Sequence, residues 1–334
     1  MSKSKRKPKP WDENWNTIKD IGGGGHGLTF LVEPKNDLFS VGQYVLKRLK
    51  NQESLERRSR MHVEVTIIGR LNILNCPNIP KLIDSNSQYF KDKNVPLYMV
   101  TEFIEGKTLE KFITEKGIVD VFDAIKLTFN LLETLELCHQ EGIVHRDIKP
   151  DNIIVRNDSL TTPVLIDFGL SFNKENDTSL TPTEQDVGNR FLVLPEHRRK
   201  SGLQRDPRSD ITQICGILFF LITGEPPYLF DAKGSKPHQN QKVKQKLLAL
   251  PEQILSRINR VFDTAFDIRI DYRWQSTITL NTALIDVLNS ENQEYNEKTS
   301  LDEIRHKAST DTDKELFENV ARKILKKFMI LFLS

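Results

Sequence analysis

Cysteine is scarce in this sequence. Cys76, Cys138 and Cys215 stand far apart and are odd in number, so neither a disulfide framework nor a metal-ligand spacing is visible, and the reading is a reducing compartment. Long apolar runs are missing too. The longest covers residues 214–222, well short of the roughly 20 residues that cross a bilayer, and reads as a buried core helix. The N-terminus lacks the apolar core of a secretory signal, so a cytoplasmic protein without a transmembrane segment is expected. Nor does one sign of charge dominate. The 48 Lys and Arg against 46 Asp and Glu leave a net +2, too small for a global field that would draw nucleic acid or a membrane surface. The one basic concentration is Lys3, Lys5, Arg6, Lys7 and Lys9 around Pro8 and Pro10. It reads as a disordered arm over residues 1–14, and nucleic-acid contacts are expected from that arm at most. No internal repeat is present.

What remains is a 334-residue chain with 28% charged and 38% hydrophobic residues, ample for a sizeable core. The first third reads as strands with one helix. Residues 28–32 and 44–49 are β-rich runs, and 97–100 is a short apolar run of buried-strand type. Residues 54–74 read as a helix, with Val63, Ile67, Leu71 and Leu74 at helical spacing. After Gly106 the character becomes mainly helical. Phe122, Ile125, Phe129, Leu132 and Leu135 form one stripe, and Gly142 is a candidate C-cap. Residues 164–166 form a short β run, while 211–222 and 280–288 read as helices. The Lys-rich stretch 233–245 reads as a surface loop. Residues 313–333 read as an amphipathic helix docked on its own protein, with a partner or a membrane surface as the alternatives. A β-rich small lobe followed by a helical large lobe thus emerges, an α+β architecture.

The chemistry-bearing residues come in a fixed order. Gly22-Gly23-Gly24-Gly25-His26-Gly27 follows Ile21 and precedes a strand-like run. Glycines let backbone N–H groups approach phosphate oxygens, and a strand after them argues against the dinucleotide-binding version of the pattern. Lys47 ends an apolar strand, and Glu64, one helix later, could hold its ammonium against phosphate oxygens. Then come His145-Arg146-Asp147-Ile148-Lys149-Pro150-Asp151-Asn152 and Asp167-Phe168-Gly169. With these in place the chain resembles the eukaryotic-type (Hanks-type) serine/threonine protein kinase family, over about residues 15–289.

That resemblance implies a two-lobe protein-kinase-like fold, with an N-lobe over 15–101, a hinge at 102–106, a C-lobe over 107–290 and a linker with a helix over 291–334. It implies transfer of the γ-phosphate of ATP to protein Ser or Thr hydroxyls, with Mg2+ as the ion and Mn2+ as its substitute. Asp147 would orient the attacking hydroxyl and Lys149 would sit near the moving phosphate. Asn152 and Asp167 would ligate the metal. Lys47, paired with Glu64, would hold the α- and β-phosphates, and the glycine-rich turn would cover them. Thr101, Glu102 and Ile104 match gatekeeper and hinge, and Val45, Ile154 and Thr29 match the positions that sandwich adenine.

By the same resemblance Ile148-Lys149-Pro150 favours a Ser/Thr acceptor, with dual specificity as the alternative. The resemblance also implies that Leu194-Pro195-Glu196 closes an activation segment, that Glu196 pairs with Arg273 and that Asp210 braces the catalytic loop. The sequence departs from the family at Thr29, Val45, Asn189 and Thr212-Gln213. Arg146 beside Asp147 suggests a switch by autophosphorylation at Thr178, Ser179, Thr181 or Thr183. Two competing readings stay open: a pseudokinase or scaffold of the same fold, and a small-molecule phosphotransferase of the antibiotic- or choline-kinase kind.

Overall fold

The computed structural model describes residues 9–23, 27–173, 191–192, 194–198, 205–228 and 235–289. Five antiparallel strands open the chain: β1 (Trp15–Gly22), β2 (Gly27–Pro34), β3 (Tyr44–Leu49), β4 (Leu82–Ser85) and β5 (Tyr98–Glu102). They form one sheet in the order β1-β2-β3-β5-β4. Alternation along each strand decides what its two faces meet. Leu46 of β3 packs with Trp11, Trp15, Val32, Tyr98 and Val100. Its neighbours Val45 and Lys47 therefore face the other way. The register sets Thr29 opposite Lys47 and Thr101 opposite Val45, which puts these four side chains on one face of the sheet.

Helix α1 (Leu55–Ile73) follows the third strand, and the Ser54 hydroxyl caps it by accepting from the Arg57 N–H at 3.3 Å. Its inward side is Met61, Glu64, Ile67, Ile68 and Leu71. The expected stripe holds at Ile67 and Leu71 but fails at Leu74, which caps the helix and is exposed.

The second lobe is built on α3 (Val121–Gln140) and α5 (Arg208–Thr223). Every residue from 209 to 223 is buried, so α5 is the central helix of this lobe, with polar residues in its first turns and an apolar stretch over 214–222. Around the pair stand α2 (Leu109–Lys116), α4 (Pro195–Arg198), α6 (Gln241–Leu247), α7 (Glu252–Ala265) and α8 (Thr277–Leu288). Gly142, at φ 67°, turns the chain out of α3. Strands β6 (Gly106–Thr108), β8 (Ile153–Arg156) and β9 (Pro163–Leu165) make a sheet beneath the first lobe. A short β7 (Ile143–Val144) pairs with β10 (Phe172–Asn173).

Two expectations need correction. The stretch 233–245 is no plain loop, because residues 241–247 form α6. The Asn240 side chain caps it by accepting from the Lys242 N–H, and Val243 and Leu247 are buried. The arm expected over 1–14 does not extend that far. Trp11 is buried, with its ring edge-on to Tyr98 at 6.0 Å and the Arg48 guanidinium 5.2 Å above it. Residues 1–8 and the helix expected at 313–333 lie outside the described residues. Among the described residues no helix is long and apolar enough to cross a membrane.

Candidate active site

Lys47 extends from the inner face of the first-lobe sheet and meets two carboxylates. Its Nζ donates to Glu64 Oε1 at 2.8 Å and Oε2 at 2.9 Å, and to Asp167 Oδ1 at 2.9 Å. Burial alone would depress the Lys47 pKa, but the charges of Asp167 and Glu64 outweigh it and hold the ammonium above its ordinary value. Burial pushes the Glu64 carboxyl up against the pull of Lys47. Lys47 draws Asp167 down to about 2. Asp167 sits at φ 64° and its Oδ1 also accepts the Gly169 N–H at 3.4 Å. Phe168, by contrast, is fully buried with its ring 4.7 Å from that of His145. The Asp-Phe-Gly turn thus sends its acid to Lys47 and its aromatic ring into the core.

The loop before β8 is held from below by α5. Asp210, fully buried, accepts from the His145 N–H and the Arg146 N–H at 2.8 Å each. Its Oδ2 also lies 3.1 Å from His139 Nε2. One turn along α5, Gln213 accepts from the Ile148 N–H at 3.1 Å and donates to the Arg146 carbonyl at 3.2 Å. Sequence reading marked Gln213 only as a departure from the family. Its i,i+3 spacing from Asp210, which puts both on one helix face, was the signal that it shares the bracing.

On the loop itself, Asp147 Oδ2 accepts from Lys149 Nζ at 2.7 Å and from Asn152 Nδ2 at 3.0 Å. Asn152 Nδ2 also donates to the Asp147 carbonyl at 2.8 Å. The main chain then carries Asn152 to Asp167. Ile153 stands opposite Leu165, and the Ile166 N–H donates to the Asn152 carbonyl at 2.9 Å. Asp147, Lys149, Asn152 and Asp167 therefore share one end of the β8–β9 pair, and Lys47 and Glu64 close on it from the first lobe.

The remaining expected residues are placed as follows. Ile21 is the last residue but one of β1 and is 40% exposed. Gly22, at φ 116°, pairs with Thr29. A Cβ on Gly23 would collide with the Gly27 carbonyl, so the tight turn requires glycine there. Gly27 starts β2. Gly24, Gly25 and His26 lie outside the described residues, as do Thr178, Ser179, Thr181, Thr183 and Asn189. Thr29, Val45 and Thr101 share the Lys47 face, and Ile154 lies on β8 opposite Thr108 and Val164. Glu102 ends β5, its N–H donates to the Lys81 carbonyl at 2.9 Å, and its carboxylate accepts from Arg156 at 2.7 Å. Ile104 is buried in the connection to β6. Deeper in the second lobe Glu196 meets Arg273 at 2.7 Å.

A two-lobed fold with an ion-paired lysine facing a carboxylate-bearing loop is the architecture of protein kinases. Residues 15–327 match the protein kinase domain family, and the chain belongs to it. It is 30% identical over 219 residues to a probable serine/threonine-protein kinase of Clostridium perfringens, covering 65% of this chain and 30% of that protein. It is 32% identical over 168 residues to serine/threonine-protein kinase PknB of Mycobacterium leprae, covering 50% and 26%. It is 29% identical over 240 residues to serine/threonine-protein kinase PknA of a Nostoc species, covering 69% and 40%. The chain thus spans well under half the length of these relatives. Among solved structures, that of Rad53 1–466 in complex with AMP-PNP shares the fold. Its TM-score is 0.60 at 20% identity, with 81% of this chain and 65% of that chain covered.

Proposed function

We propose that this chain is a serine/threonine protein kinase, which transfers the γ-phosphate of ATP to Ser and Thr hydroxyls of proteins. The observation that carries the reading is the Lys47–Glu64 pair of the first lobe bonded through Lys47 to Asp167 of the second. The transition state of phosphoryl transfer is loose and spreads negative charge over oxygens, so positioning and charge neutralisation do most of the catalysis. Lys47 would bind the α- and β-phosphates, kept charged and aimed by Glu64. Residues 21–27 would cover the phosphates and exclude water. Asp147, fixed by Asn152 and Lys149, would orient the acceptor hydroxyl and take its proton. Lys149 would follow the phosphoryl group across. Adenine would lie against Thr29, Val45, Thr101 and Ile154. With the Glu102 N–H already given to Lys81, the Glu102 carbonyl and the Ile104 backbone are the groups left to bind it.

The donor set at Asn152 and Asp167 fits magnesium. Both offer hard oxygens, and Asn152 spends its nitrogen on Asp147. Magnesium characteristically takes one or two protein oxygens and completes its shell with phosphates and water. When bound there, the ion would neutralise developing phosphate charge. Mn2+ satisfies the same donors. A cytoplasmic site of action, where ATP is found, goes with this reading, as do the three free cysteines.

The test is transfer of labelled phosphate from ATP-Mg to casein, histone and the protein itself, followed by phosphoamino-acid analysis. Label on Ser and Thr is expected, with Asp147→Ala and Lys47→Met each lower by on the order of a hundredfold or more. Equal labelling by wild type and Asp147→Ala, or ATP left untouched by wild type, would remove the proposal.

A further inference from the structure

Glu64 rides on α1, so whatever fixes the depth of α1 also fixes the bond to Lys47. Arg58 lies six residues before Glu64 on the same helix and is fully buried. Its guanidinium is spent on main-chain carbonyls. Nε donates to Phe90 at 2.7 Å and Nη1 to Gln52 at 3.1 Å. Nη2 donates to Tyr89 at 2.8 Å, Asp92 at 2.6 Å and Val95 at 3.0 Å. Four of these five acceptors belong to the β4–β5 connection, and the fifth, Gln52, lies three residues before α1.

The same connection grips the helix again one turn on. The His62 ring stacks on Phe90 at 4.3 Å and 11°, and His62 Nδ1 lies 3.5 Å from Ser87 Oγ. Gln52 ties the start of the helix to the end of the connection. It donates to the Leu97 carbonyl at 3.2 Å and accepts the Leu97 N–H at 2.9 Å. Burying a guanidinium is costly unless its donors are used, and here they gather four main-chain carbonyls of one loop onto one side chain of the helix. On the opposite side α1 rests on the Phe168–Leu170 turn, where a Cβ on Gly169 would stand in van der Waals contact with Glu64 Oε2 at 3.4 Å. The helix is therefore set between two walls.

We propose that Arg58 is a positioning residue for phosphoryl transfer: by clasping residues 89–95 to α1, it holds the helix at the depth where Glu64 meets Lys47. The inference rests on the roles given above to Lys47 and Glu64. It makes the inward setting of α1 a property of this chain's own β4–β5 connection.

A double-mutant cycle tests it, with Arg58→Lys chosen because it keeps the charge and part of the donor set. At saturating ATP-Mg with casein as acceptor, Arg58→Lys should lower kcat about tenfold. In a Glu64→Gln background the same change should alter kcat by less than about twofold, while Tm falls equally in both backgrounds. The same fold loss in both backgrounds, or none in the first, overturns the proposal. Amide exchange of nucleotide-free protein gives a readout independent of turnover. Residues 61–68 should exchange at least about tenfold faster in Arg58→Lys, with α3 unchanged; unaltered exchange there also overturns it. If wild type transfers no phosphate at all, the kinase reading falls, and the exchange result alone decides whether Arg58 holds α1.

Discussion

Glu196 and Arg273 show how much one buried pair can fix. Arg273 donates to both carboxylate oxygens of Glu196, at 2.7 and 3.2 Å, and Ser209 donates to Oε1 at 2.7 Å. All three are buried. Burial alone would raise the Glu196 pKa, but Arg273 and Ser209 outweigh it and hold the carboxyl below its ordinary 4.5. A depressed acid adds stability that is complete above the unfolded-state value and disappears as pH falls through the folded one. The difference in Tm between wild type and Glu196→Gln should therefore be largest at neutral pH and close below pH 4.5. A gap that stays constant across that window would count against the assignment. Glu196→Ala leaves Arg273 charged and buried, and urea denaturation should show a loss of about 3–5 kcal/mol.

At the scale of elements, α5 acts as a bracket for the loop that carries Asp147. Its first turns present Asp210 and Gln213 to the backbone N–H groups of His145, Arg146 and Ile148 and to the Arg146 carbonyl. Gln213→Ala would leave the buried Ile148 N–H without its acceptor, at a cost of about 1–3 kcal/mol in urea denaturation. Steady-state kinetics should show kcat lower by about tenfold with KM for ATP little changed, if the loop serves the acceptor side as proposed for Asp147. A raised KM with intact kcat would assign the loop to nucleotide binding instead. Asp210 was legible in the sequence because the family motif marks its place, whereas Gln213 was hidden by departing from that motif.

The same division runs through the elements. Strands β2, β3 and β5 and helices α1, α3, α5 and α8 announce themselves by apolar period. The β4 strand has no apolar run, since Leu82–Ser85 is half-buried at every position and is defined by its pairing with β5. The α6 helix sits in a Lys-rich stretch, and only Val243 and Leu247 mark its inward side. What the sequence cannot display is the partner. Arg58 reads as one more charge on a basic helix start until the β4–β5 connection folds over it.

At the scale of the whole molecule, the lobes are joined at two places on either side of the Lys47–Asp167 contact. One is the β5–β6 connection, where Arg156 meets Glu102 at 2.7 Å and the Asn157 N–H donates to Glu105 at 2.8 Å. The other is the loop after α1. There Asn78, at φ 56°, donates from Nδ2 to the Asn130 carbonyl at 3.1 Å and to Thr134 Oγ1 at 3.3 Å. Its carbonyl accepts the Leu165 N–H at 2.8 Å. Arg70 adds an ion pair to Glu141 at 2.6 Å. With both joints intact, the described residues of the two lobes should unfold together, giving one calorimetric transition whose van 't Hoff and calorimetric enthalpies agree. Asn78→Gly keeps the left-handed backbone and removes the amide bonds, whereas Asn78→Ala also forces a Cβ into that conformation, so Ala should be worse than Gly by about 1 kcal/mol. In the Ala variant the first lobe should begin to melt ahead of the second, and the calorimetric enthalpy should exceed the van 't Hoff value. An unchanged single transition would move the coupling of the lobes away from Asn78, to the Glu102–Arg156 side and the Lys47–Asp167 contact.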